Sequence, residues 1–141
     1  MFNISQKEVR IFFCEVYRKQ QVQEILSPLE TIANSWLIQH PEYEGDLKNV
    51  QIALNTDYSI ENGRTNPFLH LSMHLSITEQ ILINQPVGIS NIANTLRKKM
   101  NSEHQMHHQI MNCLEEMVWN SQHNGLPLDS STYIKCIKKY A

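Results

Sequence analysis

Asn66-Pro67-Phe68-Leu69-His70-Leu71-Ser72-Met73-His74-Leu75-Ser76-Ile77-Thr78-Glu79-Gln80 is the stretch whose reading decides the fold class. Asparagine before proline is a helix start: the amide oxygen caps free backbone N–H groups, and a first-position proline loses no hydrogen bond. At about 100° per residue, Ser72, Ser76 and Glu79 share one side, expected to face water. His70 and His74 lie nearly opposite, close to Ile77 and Ile81 and flanked by Leu69, Leu71, Met73 and Leu82. The segment predicts a helix reaching Asn84, broken by Pro86 and Gly88. Its histidines sit at the centre of the apolar arc, where imidazole nitrogens must find partners.

Similar start signals recur outward from this helix. Ser5-Gln6-Lys7-Glu8 and Ser27-Pro28-Leu29-Glu30 are capping boxes, and Ser102-Glu103-His104-Gln105 is a third of the S-x-x-Q kind. They predict helices from Ser5 to about Gln23, from Ser27 to His40 before Pro41, and from Ser102 to near His123, with Asn124-Gly125 closing the last. Ser90 is expected to cap a helix to about Met100, and Asp129 a final one through Lys139. Residues 42–65 are the least regular part, with a short helix from Glu44 to Ile52, a brief extension at Tyr58–Ile60 and a turn at Asn62-Gly63. The reading is all-α: a single helical domain over residues 1–141, a bundle of six or seven helices with little or no sheet.

Composition agrees. The chain has 141 residues, 41% hydrophobic and 18% charged, which suits one folded domain rather than a disordered chain. Its 4 glycines fall well below the ~10 of average usage, against turn-rich β folds and glycine-rich phosphate loops. A net charge of −2 gives no electrostatic case for nucleic acid. The basic clusters Arg97-Lys98-Lys99 and Lys135, Lys138, Lys139 are small enough to be solvated faces. No segment approaches the ~20 apolar residues of a membrane span. Lys7, Glu8 and Arg10 interrupt the start before an apolar run develops, so no signal peptide is expected. Cys14, Cys113 and Cys136 are odd in number and lack C-x-x-C spacing, which predicts reduced, partly buried thiols in a cytoplasmic protein. A protein partner or a homo-oligomer has no signature of its own.

The chemistry lies in the histidines. On the Ser102–His123 helix, Gln105, Gln109, Asn112, Glu116 and Asn120 form a wet face, and Met106, Ile110, Leu114, Met117 and Val118 an apolar one. His107 falls just inside the apolar face, while His104, His108 and Glu115 stack along its edge. Each helix thus carries a His-x-x-x-His pair, and residues four apart project in parallel. Two such pairs, His70 with His74 and His104 with His108, are a workable metal-ligand set. Nitrogen ligation suits Zn, Fe, Ni or Cu, with Zn or Fe placed first, and disfavours Mg or Ca. Imidazoles ligate unprotonated, so binding is expected to weaken as pH falls into the histidine range. A metal with an open position activates water, with Glu115 or Glu30 as candidate proton acceptors for hydrolytic or redox chemistry. Glu30 is also fully explained as the third residue of its capping box.

The competing reading makes the same histidines core residues paired with Glu115, Glu79, tyrosines or backbone groups in a metal-free protein-interaction module. His40-Pro41-Glu42-Tyr43 and the irregular 42–65 segment would then supply the contact surface. Against that role, His40 is explained as a helix C-terminal cap and Tyr43 as a core-packing residue. Met73, Met106, Met111 and Met117 read as packing rather than soft ligands. His70-Leu71-Ser72-Met73-His74 lacks the glutamate of H-E-x-x-H, and no Glu-x-x-His, G-x-S-x-G, Walker loop or dinucleotide fingerprint is present, so no nucleotide cofactor is expected.

The chain resembles an uncharacterised bacterial family, the domain of unknown function 1841. The matching segments are Ser27–Glu30, His40–Tyr43, Asn66–His70 through His74 to Glu79-Gln80, Gln85-Pro86 with Gly88-Ile89, His104, His108, Met111, Trp119, and Asp129 with Tyr133. The family often has a histidine where this chain has Glu44, and an acid where it has His107. The resemblance keeps the four-histidine set intact and implies no activity.

Overall fold

A computed structural model describes residues 5–58 and 66–141. Among these residues there are eight α-helices and no strand: α1 (Gln6–Val22), α2 (Pro28–Ile38), α3 (Glu44–Leu47), α4 (Val50–Asn55), α5 (Pro67–Ile83), α6 (Ile89–Met100), α7 (Glu103–Asn124) and α8 (Ser130–Lys138). The all-α expectation is met. A 3-10 turn, Pro41–Tyr43, leads into α3. The expected turn at Asn62-Gly63, and Ile60, lie outside the described residues; Tyr58 is described and is not in a strand.

The caps were the most legible part. Ser27 and Glu30 form a complete capping box, Glu30 N–H to Ser27 Oγ at 3.2 Å and Ser27 N–H to Glu30 Oε1 at 2.9 Å. Ser5 accepts from Glu8 N–H, Ser102 from Gln105 N–H, and Asp129 from the N–H groups of Ser131 and Thr132. Asn66 Oδ1 accepts from Phe68 and Leu69 N–H, both at 3.1 Å, opening α5 as expected. Gly125, at φ 63°, closes α7 in the left-handed region that a glycine enters without penalty.

Two local expectations are corrected. Ser90 does not cap α6, because the helix begins one residue earlier, after Gly88. The oxygen that serves this start is Asn84 Oδ1, which accepts from Gly88 N–H at 3.1 Å and Ser90 N–H at 3.2 Å. The Ser90 hydroxyl instead donates to the Ile81 carbonyl. The segment after Glu44 is two short helices, because Asn49 Oδ1 accepts from Gln51 and Ile52 N–H and so starts a new one.

By internal contacts the chain divides into two compact units, residues 1–75 and 76–141, the division falling within α5. In the first unit α1 packs on α2, α3 and α4. Its core is built from Phe13, Val16, Ala33, Trp36, Leu37 and Leu47, joined by Phe68, Leu71 and Leu75 from the start of α5. Arg10 fastens the far end of α4, donating to the carbonyls of Ala53 at 2.8 Å and Thr56 at 3.0 Å while lying over the Tyr58 ring. These bonds satisfy helix C-terminal carbonyls that have no partner within the helix.

In the second unit α6, α7 and α8 pack pairwise. Leu96, Ile110, Leu114 and Ile137 are fully buried there, and the Tyr133 hydroxyl donates to Gln80 Oε1 at 2.7 Å. Cys113 on α7 and Cys136 on α8 form a disulfide, with Cα atoms 5.7 Å apart. The expectation of reduced thiols therefore fails for this pair and holds for the buried Cys14. Spacing gave no hint of it, because packing of α8 on α7 brings together residues far apart in sequence. Among the described residues no helix is long and apolar enough to cross a membrane.

Candidate metal centre

The site begins with the burial of α5. Ser72 and Ser76 were expected to face water, but Ser76 is buried and Ser72 half-buried. The Ser72 hydroxyl is satisfied by donating to the Phe68 carbonyl one turn back at 2.6 Å. His74 is fully buried and His70 half-buried. One helical turn apart, their Nε2 atoms approach to 3.1 Å.

A third histidine joins them within the same unit. His40, only 3% exposed, follows the end of α2. Its ring centroid lies 5.0 Å from that of His70 and 5.0 Å from that of His74. One ring nitrogen from each of the three lies within 4.8 Å of the others. This histidine cluster could hold a metal ion. The sequence reading passed over His40 because its cap role was sufficient explanation, and that role is real: Nδ1 bonds the Trp36 carbonyl at 2.8 Å. The missed signal was the adjacent Pro41, which turns the chain at once and keeps the ring against the helix it has just left.

Aromatic groups fix these rings. The Trp36 indole stacks on His74, centroids 4.1 Å apart and planes 13° from parallel. Tyr43 lies parallel to His40 at 5.2 Å and edge-on to His70 at 6.1 Å. Tyr43 packs against the core as expected. Burial raises its phenol pKa, with Glu42 and Asp46 adding to the effect.

The second unit carries the other pair. His104 is half-buried and His108 exposed, with ring centroids 4.4 Å apart. They occupy the predicted edge of α7, with Glu115 exposed further along. His107 is buried, and this desolvation, with the neighbouring His104 and His108, pushes its pKa down to about 3. It is therefore a neutral core imidazole at ordinary pH. His123 is a helix-end residue, its Nδ1 bonding the Trp119 carbonyl at 3.0 Å.

Both candidate acids are described. Glu30 is engaged at both oxygens, by Ser27 N–H and by Lys19 Nζ at 2.9 and 3.2 Å. Those partners hold its carboxyl below the usual range, the Ser27 backbone bond first and the Lys19 bond second. Glu115 keeps an exposed carboxylate at the edge of α7.

The family model described as Domain of unknown function (DUF1841) matches residues 5–139. This chain belongs to that family. The DUF1841 match takes in His40, both His-x-x-x-His pairs and the disulfide cysteines, so the whole candidate site lies on family ground. No protein of curated function and no solved structure matches the chain.

Proposed function

We propose that this DUF1841 chain is a transition-metal-binding protein whose ligands include the imidazoles of His70, His74, His104 and His108. The observation that carries the reading is the 3.1 Å separation of His70 Nε2 and His74 Nε2. Two nitrogens bonded at about 2.1 Å to one ion, at angles of ~90–110°, lie roughly 3.0–3.4 Å apart. The His104–His108 pair repeats the i, i+4 arrangement on α7, ring centroids 4.4 Å apart, and unprotonated imidazole nitrogens suit Zn or Fe, with Ni or Cu behind them. If the ion activates water, Glu115 is the better proton acceptor, since Glu30 is already occupied by Lys19 and Ser27.

The stacking of Trp36 on His74 favours a second reading, a metal-free interaction module whose histidines serve packing. A 3.1 Å contact between two imidazoles is also an ordinary hydrogen bond, with one ring donating. Metal analysis of protein purified without an affinity tag separates the two. A near-stoichiometric transition metal, lost in the His74→Ala/His108→Ala double variant, is the expected result. A folded metal-free protein with no thermal shift on adding Zn, Fe, Ni or Cu would overturn the metal reading and leave the module.

A further inference from the structure

His40 is the residue whose chemistry the cap role does not exhaust. Its Nδ1 lies 2.8 Å from the Trp36 carbonyl oxygen. A carbonyl only accepts, so Nδ1 must carry the proton, and in the neutral ring the lone pair is then on Nε2. Nε2 is buried from solvent. The ring it belongs to sits 5.0 Å from both His70 and His74. A backbone carbonyl on one imidazole nitrogen is the usual outer-shell support of a metal-bound histidine, since it fixes the tautomer and raises the basicity of the other nitrogen.

We infer that His40 is a further ligand of the metal, binding through Nε2, so that His40, His70 and His74 form a three-nitrogen set on the first unit. The inference rests on the metal reading above and adds to it a ligand from outside both His-x-x-x-His pairs. Trp36 is then a positioning residue twice over, its carbonyl orienting His40 and its indole orienting His74. The ring nitrogens lie within 4.8 Å of one another. Coordination to one ion at about 2.1 Å brings neighbouring ligand nitrogens to roughly 3.0–3.4 Å. An open groove of about 270 Å³ lined by Tyr17, Leu37, Pro41 and Glu44 borders the His40 residue.

The test separates the ligand from the cap. His40→Asn keeps an N–H donor for the Trp36 carbonyl and removes Nε2. Zinc affinity by chelator competition is expected to fall at least about tenfold, the smallest loss that even an outer-shell change produces. The visible spectrum of the cobalt(II)-loaded protein should change with it. His70→Ala/His74→Ala is measured in parallel. If that double variant binds zinc like the wild type, the metal reading itself fails. If it loses zinc while His40→Asn keeps wild-type affinity and the wild-type cobalt spectrum, the His40 inference alone is overturned. Should His40→Asn not fold, imidazole nitrogen NMR of the wild type decides. On adding zinc the His40 Nε2 resonance should shift while Nδ1 stays protonated, and an unmoved Nε2 overturns the inference.

Discussion

The indole of Trp36 lies flat on the imidazole of His74, centroids 4.1 Å apart, and both side chains are buried. One ring face of His74 is thereby closed, and its Nε2 is aimed at His70. Trp36→Leu is expected to destabilise the chain by about 2–4 kcal/mol, the range of large-to-small core changes. It should also lower zinc affinity about tenfold or more by releasing His74. Trp36→Phe retains a stacking ring and should keep most of both. Urea unfolding and zinc competition on the two variants check this; equal zinc affinity in both would mean that the stack does not orient His74.

The disulfide between Cys113 and Cys136 closes a loop with a sequence separation of 23 residues. Loop-closure entropy for that length corresponds to about 3 kcal/mol. Reductant, or Cys113→Ser/Cys136→Ser, should lower the unfolding midpoint by a corresponding amount. Mass measurement without reductant should show the loss of two hydrogens. A midpoint indifferent to reductant would show that the α7–α8 packing stands without the bridge.

Glu30 makes stability depend on pH. Its folded pKa lies below the ordinary 4.5, first through the Ser27 backbone bond and then through Lys19. A depressed carboxylate adds stability that is fully present above about 4.5 and is lost as pH falls through the folded value. Glu30→Gln preserves the capping-box bond and removes the charge. The variant should match the wild type within about 1 kcal/mol at neutral pH and lose less stability on acidification. Thermal melts between neutral pH and pH 3 check it, and parallel curves would sink the assignment.

Tyr133 is buried, its hydroxyl donating to Gln80 at 2.7 Å. Burial raises its pKa, so it stays a neutral donor throughout the working range. Tyr133→Phe leaves the Gln80 oxygen without this donor and should cost about 1–2 kcal/mol, read as a lower urea midpoint with an unchanged slope. No change would mean that water replaces the hydroxyl.

What the sequence determined by itself was local. Caps at Ser5, Ser27, Asn66, Ser102 and Asp129 involve residues two or three apart, so chain order alone predicts them. The same is true of His70 beside His74 and His104 beside His108, since helix geometry places residues four apart on one face. The wet and apolar faces of α7 also follow from periodicity, Ile110 and Leu114 being buried and Asn112 and Glu116 exposed. Tertiary packing decided the rest. Ser76 is buried because the surroundings of α5, not its own pattern, set which faces meet water. Cys136 meets Cys113 because α8 packs on α7. His40 reaches His70 and His74 because α2 ends where the chain turns at Pro41, far from α5 in sequence. Periodicity carries information along one helix only, whereas a ligand set drawn from separate helices exists only once burying their apolar faces has brought them together.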